Sequence, residues 1–283
     1  EAANFPVGFE GGNSGVCPSQ NLAEAFDMAT GEPFDWNDES MRSRMFVASA
    51  RDPRFARTLI YNGATFKGQS VQSYVGGRNG RPLDGATPTS YYLRKHIVEA
   101  TSFVTGSEMS YQHIFPFFRY AEVLLNYAEA LAAATQNPDF TGMKGEVEYT
   151  LSPREALNAV RARYNMPGIT ETDYAAFVKR LRNERRVELA FEDHRYFDMK
   201  RWRIADITWN GNTDNDKAIV YGLYPYRIAK PKPGTSDQDK YIFVKTKSER
   251  FKVARTFQQS NYYSFIADDV INNNPTIVKN PFQ

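Results

Sequence analysis

From Pro116 onward the apolar positions fall into a helical period. Phe118, Ala121, Leu125, Ala128, Leu131 and Ala132 share one face, which predicts a helix of about four to five turns. Its small residues Ala121, Ala128 and Ala132 would let a second helix approach closely. Ser152-Pro153-Arg154-Glu155 then supplies an N-cap, a proline at the first helical position and an acidic first turn. That second helix carries Ala156, Leu157 and Val160 and ends near Met166-Pro167-Gly168. A third opens at Thr172 and runs through Phe177, Leu181, Val187, Leu189 and Phe191, and Arg195 to Ile207 reads as a fourth. Upstream, Ser19 caps a short helix, Asp52-Pro53-Arg54-Phe55 reads as a turn, and Thr58 to Tyr61 as a strand turned by Asn62-Gly63. Gly76 to Pro88 reads as a surface loop and Tyr91 to Ile97 as strand-like. Downstream, Asn210-Gly211-Asn212 and Pro231-Lys232-Pro233-Gly234 break the chain, with short strands expected at Ala218 to Tyr221 and Tyr241 to Val244, before an extended tail. The expected fold is mainly α: tetratricopeptide-like helical pairs over about 116–207, with loop-rich segments and a few short strands around them.

Charge and composition narrow the function classes. The chain has 283 residues and a net charge of +2, too balanced for nucleic-acid or anionic-membrane binding. Its lone cysteine, Cys17, excludes an internal disulfide and a multi-cysteine metal site. His96, His113 and His194 match no metal-ligand spacing, and no phosphate loop or Gly-x-Ser-x-Gly is present, so neither metal nor cofactor is expected. Glu184 and Glu188 lie one helical turn apart. They admit a glycosidase-like carboxylate pair, but an ion-pair lattice with Arg161 and Arg195 is the expected reading, because unpaired charge near a core is costly. Aromatic residues make up 14% of the chain. Trp36, Tyr74 and Trp209 stand in loops beside polar neighbours such as Arg78 and Asn79, a combination that can stack on a sugar ring and hydrogen-bond its hydroxyls. These five residues are the expected ligand-binding set. No catalytic residue is assigned.

Three segments carry a family resemblance. They are Phe118-Arg119-Tyr120-Ala121-Glu122-Val123-Leu124-Leu125-Asn126-Tyr127-Ala128-Glu129-Ala130, then Leu157-Asn158-Ala159-Val160-Arg161-Ala162-Arg163, then Glu184-Arg185-Arg186-Val187-Glu188-Leu189-Ala190-Phe191-Glu192 with His194-Arg195-Tyr196-Phe197-Asp198-Met199-Lys200-Arg201-Trp202. In order and spacing they resemble the SusD/RagB family. The resemblance implies non-catalytic, cell-surface binding of an oligosaccharide or polysaccharide and its delivery to a SusC-like TonB-dependent outer-membrane transporter. A peptide ligand is the alternative, and a glycoside hydrolase a more distant one. Family members carry a signal peptide, a lipid-anchored N-terminal cysteine and an N-terminal helical half, none of which is visible here. The chain is therefore expected to be the C-terminal part of such a protein, held at the outer membrane only through a lipid anchor on the missing N-terminus. Within it, the helical core of about 116–207 would carry ligand-facing segments at about 1–115 and 208–283.

Overall fold

The computed structural model describes the chain apart from His113, residues 210–218, Pro231, Pro233, residues 236–239, residues 248–255, Pro275, Pro281 and Gln283. The expected breaker Asn210-Gly211-Asn212, the strand start at Ala218 and two prolines of the second breaker lie outside these described residues.

The first hundred residues build a core from short elements. Helix α1 (Gln20–Ala23) is capped by Ser19, whose hydroxyl accepts from the Leu22 N–H at 3.3 Å. Helix α2 (Glu39–Ser43) is capped by Asp38. Asp52-Pro53-Arg54-Phe55 opens helix α3 (Pro53–Thr58) instead of making a simple turn. The Asp52 carboxylate accepts from the Arg54 N–H at 2.9 Å, and Pro53 brings its φ already set for the first helical position. Strand β1 (Leu59–Ile60) follows, then a tight hairpin of β2 (Thr65–Phe66) and β3 (Gln69–Ser70), and β4 (Tyr92–Leu93) returns antiparallel to β1. These pieces enclose Phe5, Phe26, Met45, Phe55, Leu59, Ile60, Phe66, Tyr91 and Tyr92, all with no solvent exposure. Arg51 is buried among them. Its guanidinium lies 4.5 Å from the Phe34 and Phe55 ring centroids and donates to the Met45, Ala23 and Phe26 carbonyls. Burial pushes its pKa down to about 10. Much of the segment that reads as loop-rich is thus a packed body held by aromatics.

The helical block follows. Helix α4 (Tyr120–Thr135) leads into the hairpin β5 (Gly142–Lys144) and β6 (Val147–Tyr149), then helix α5 (Pro153–Ala162) with its full capping box on Ser152 and Glu155. Helix α6 (Tyr174–Glu188) is capped by Asp173. Ala121, Leu125, Ala128 and Ala132 of α4 pack on Ala156, Leu157 and Val160 of α5 and on Phe177 and Leu181 of α6. The small residues of α4 face this interface, as their spacing predicts. Helix α6 stops at Glu188, short of the expected Phe191, and the left-handed φ of 62° at Phe191 and Asp193 keeps the chain from resuming a helix before His194. The expected fourth helix is two, α7 (His194–Arg201) and α8 (Ala205–Trp209), separated where Arg203 takes a φ of 55°.

The last sheet is a hairpin of β7 (Tyr221–Arg227) and β8 (Tyr241–Lys247). Its register pairs Tyr221 with Lys247 and Arg227 with Tyr241. The hairpin is fastened to the first core: the Leu223 N–H donates to the Thr89 carbonyl, the Tyr224 hydroxyl to Pro88, and the Val75 N–H to Pro225. The tail forms a helix, α9 (Asp268–Asn273), where extended chain is expected from the sequence. The fold is mainly helical with a few short strands. No helix among the described residues is long and apolar enough to cross a membrane.

Candidate functional site

Alternation along β8 puts Tyr241, Phe243 and Lys245 on one face. All three lean, half-buried, on side chains of the first core. The Tyr241 ring lies 5.5 Å from Tyr74, and Phe243 lies 5.2 Å from Phe46. The Lys245 ammonium sits 5.3 Å from the Trp36 ring and 4.9 Å from the Tyr221 ring. Two cations flank the row: Arg227 lies 6.0 Å from the Tyr74 ring and Arg42 lies 5.7 Å from the Trp36 ring. Trp36 and Tyr74, 38 positions apart in sequence, thus stand at opposite ends of one ribbon of rings and cations. A Cβ at Gly80 would come within 2.2 Å of the Tyr74 carbonyl oxygen, so glycine is needed there for the loop that carries Tyr74 to fold back on itself.

The other expected ligand residues are placed differently. Arg78 is exposed and donates to the Ser70 carbonyl at 2.6 Å. Asn79 is a correction. It is 1% exposed, its amide donates to the Val7 carbonyl at 2.6 Å, and its oxygen accepts from the Gln72 N–H at 2.9 Å. Both ends are taken by backbone, because buried amides must find partners. Trp209 belongs to a separate cluster, stacked on Tyr196 at 5.7 Å and tilted against Phe257 at 5.8 Å. The expected ligand set omits Tyr221, Tyr241, Phe243 and Lys245; of these, Tyr221, Tyr241 and Phe243 lie in the expected short strands, and Lys245 lies just beyond the second.

Charged residues gather at the seam between the first core and the helical block. Glu184 accepts from Arg54 at 2.5 Å and from Arg161 at 2.7 Å. Glu188 accepts from Arg54 at 2.9 Å and from Arg119 at 2.5 Å. Glu192 takes Arg119 at 2.7 Å and Lys95 at 2.5 Å, Asp52 takes Arg54 at 2.6 Å, and Asp27 bridges Arg161 and Arg180. Burial alone would lower the Arg54 pKa, but the charge of Glu184 and the hydrogen bond of Asp52 outweigh it and hold the guanidinium above its ordinary value. Arg195 is a second correction: it makes no ion pair among the described residues. Burial lowers its pKa, and Asp198, the carboxylate opposing that shift, is instead bonded by Arg185 at 2.7 Å. Sequence spacing placed Arg195 near the carboxylates. The turn at Phe191 and Asp193 carries it away. Among the described residues, no group of three His, Cys, Asp or Glu side chains could hold a metal ion.

The chain belongs to the SusD family, whose profile matches residues 5–282. In fold it is similar to a SusD-like protein from Bacteroides fragilis NCTC 9343, with a TM-score of 0.69, 24% identity, and coverage of 96% of this chain and 48% of that one. It is also similar to a SusD-like carbohydrate binding protein from the same organism, with a TM-score of 0.65, 29% identity, and coverage of 94% of this chain and 48% of that one. The chain therefore spans about half the length of these solved relatives. No curated protein matches it.

Proposed function

We propose that this chain binds an oligosaccharide or polysaccharide at the outer-membrane surface, without acting on it, for delivery to a SusC-like TonB-dependent transporter. The observation that carries the reading is the ribbon from Tyr74 through Tyr241, Phe243 and Lys245 to Trp36. A sugar ring offers an apolar face to an aromatic ring and hydroxyls to nearby polar groups, and the ribbon supplies both: a row of rings, and at its Trp36 end Lys245, paired with Glu24 at 2.7 Å. Tyr241 to Lys245 spans roughly 13 Å of strand, long enough for several sugar units to lie along it. Weak contacts at each unit would add up along a repeating polymer. Family membership supports the class, and one relative of this fold is described as carbohydrate binding. A protein partner is supported by Ile114, Phe117 and Phe118, each more than four-fifths exposed in a short apolar strip.

A non-catalytic role is supported by the geometry of Glu184 and Glu188. Each carboxylate has both oxygens on guanidinium groups and is at most 2% exposed. A glycosidase acid must present a proton to the leaving group and its partner must face the sugar or a water. Neither oxygen pair is free to do so.

One observation favours a peptide instead. The Ile228 N–H donates to the Lys240 carbonyl, which fixes the alternation of the β7–β8 ladder and turns the backbone groups of Tyr241, Phe243 and Lys245 outward on the edge of β8 that no other strand pairs with among the described residues. An extended peptide could add there as a strand. Calorimetric titration against a panel of oligosaccharides and peptides separates the readings. Glycan binding that weakens about fivefold to tenfold in Trp36→Ala and in Tyr74→Ala supports the ribbon, a loss in the range expected for one aromatic contact. Binding of peptides alone would replace the glycan with a peptide ligand.

A further inference from the structure

The single turn of helix α1 reaches both strands of the last hairpin. Asn21 clamps the start of β7: its amide donates to the Ile219 carbonyl at 3.0 Å, and its oxygen accepts from the Tyr221 N–H at 2.9 Å. Glu24, which caps the end of α1, reaches β8. Its Oε1 lies 2.7 Å from the Lys245 ammonium, and its Oε2 accepts from that ammonium at 3.0 Å. Gln20 stands four positions before Glu24, on the same face of the turn, and donates to the carboxylate at 2.9 Å. The Gln20 oxygen in turn accepts from the Tyr91 hydroxyl at 2.6 Å, and neither Gln20 nor Tyr91 has any solvent exposure. A series of hydrogen bonds thus runs from the first core through Glu24 to the ribbon.

A lysine ammonium is strongly hydrated and sits on a flexible four-carbon stem. Its attraction to an aromatic face is modest where water has access. The rings of Trp36 and Tyr221, at 5.3 and 4.9 Å, are therefore weak restraints on Lys245. Glu24 is a strong one, because its carboxylate is fixed from behind by two buried side chains. An ammonium has three N–H donors, and one carboxylate cannot use all of them. A donor is left at a set position beside Trp36. We propose that Glu24 is a positioning residue for the ribbon: acting through Lys245, it sets a donor at the Trp36 end, where a ligand unit must offer an oxygen acceptor. Ligand contact by that donor rests on the ribbon reading, whereas the placement of Lys245 does not depend on it.

The indole N–H signal of Trp36 in a nitrogen–proton correlation spectrum tests the placement without ligand. Lys245→Met and Glu24→Gln should each shift it, and Glu24→Gln should shift it no further in the Lys245→Met background. Glu24→Asp, which keeps the charge, should shift it less than Glu24→Gln does. The Trp202 signal should stay fixed in every variant. A Trp36 signal that Glu24→Gln leaves unmoved, or moves as far in the Lys245→Met background as in the parent, overturns the proposal. With an oligosaccharide that the parent binds, calorimetric titration should show Glu24→Gln weakening affinity about threefold to tenfold, as Lys245→Met does, and the double variant binding no more weakly than Lys245→Met alone. Losses that add in the double variant overturn it too. If no oligosaccharide binds the parent, or Trp36→Ala binds as the parent does, the ribbon reading falls, and the ligand-free spectra still decide whether Glu24 positions Lys245.

Discussion

Replacing Glu184 with glutamine keeps the side-chain volume and removes one negative charge from the centre of the seam. Glu184 is 2% exposed and holds Arg54 at 2.5 Å and Arg161 at 2.7 Å. The glutamine retains one acceptor and turns an NH₂ donor toward the other guanidinium. Breaking a buried pair by removing one partner costs about 3–5 kcal/mol, because the remaining charge stays buried without compensation. With an unfolding entropy of about 2.1 cal/mol/K per residue, 283 residues give about 0.6 kcal/mol/K, so the melting temperature should fall by about 5–8 °C. Scanning calorimetry reads the shift, and glycan titration below the transition reads function. Glu184 contacts neither Trp36 nor Tyr74, so affinity should match the parent. A melting temperature within about 1 °C of the parent would show that the lattice carries little stability. Lost binding at normal stability would show that Glu184 serves the ligand and not the fold.

Arg195→Met should leave the melting temperature unchanged or raise it, because the residue is half-buried and makes no ion pair among the described residues; a fall like that of Glu184→Gln contradicts this. Asn79→Ala should lower stability by about 1–3 kcal/mol, since it strands the Val7 carbonyl and the Gln72 N–H, and chemical denaturation checks the value. Glu192 lies below the ordinary carboxylate value of 4.5: burial would raise it, but hydrogen bonds from Arg119 and Lys95 outweigh burial. A carboxylate depressed in the folded state contributes stability above its unfolded pKa and loses it as pH falls through the folded one. Stability should therefore hold from about pH 7 to 5 and decline once pH drops below about 4.5, and a flat profile down to about pH 3 would exclude this contribution.

The helical block was legible because its signals are local. The Ser152-Pro153 cap and the Ala121, Ala128 and Ala132 spacing each report on neighbours within a turn or two, and α4 and α5 lie where those signals put them. Positions where the chain leaves a helix against its apolar period were not legible. Phe191 and Arg203, residue types that rarely adopt it, take a left-handed φ, as does Asp193, so tertiary packing more than residue type interrupts the helical chain there. The first core was hidden for a related reason: its strands are two residues long, too short for a period, and it is held by contacts such as Arg51 on Phe34 and Phe55. For the candidate site, Trp36 and Tyr74 stood out as aromatics in polar loops. Their neighbours Tyr241 and Lys245 lie more than 160 positions downstream, and only the docking of the β7–β8 hairpin brings them together. Asn79 misled because a polar residue in a glycine-rich loop looks the same in sequence whether its amide faces solvent or backbone.

If the ribbon ending at Trp36 holds a glycan, as proposed, the protein's three tryptophans report it directly. Each gives one indole N–H signal in a nitrogen–proton correlation spectrum, assignable by single replacement. Trp202 is an internal reference, because its N–H donates to Glu129 at 2.6 Å away from the ribbon. During titration with an oligosaccharide that binds, the Trp36 signal should shift saturably, in step with the calorimetric isotherm, while the Trp202 signal stays fixed. A bound oligosaccharide that leaves the Trp36 signal unmoved, or moves only that of Trp209, would contradict the account.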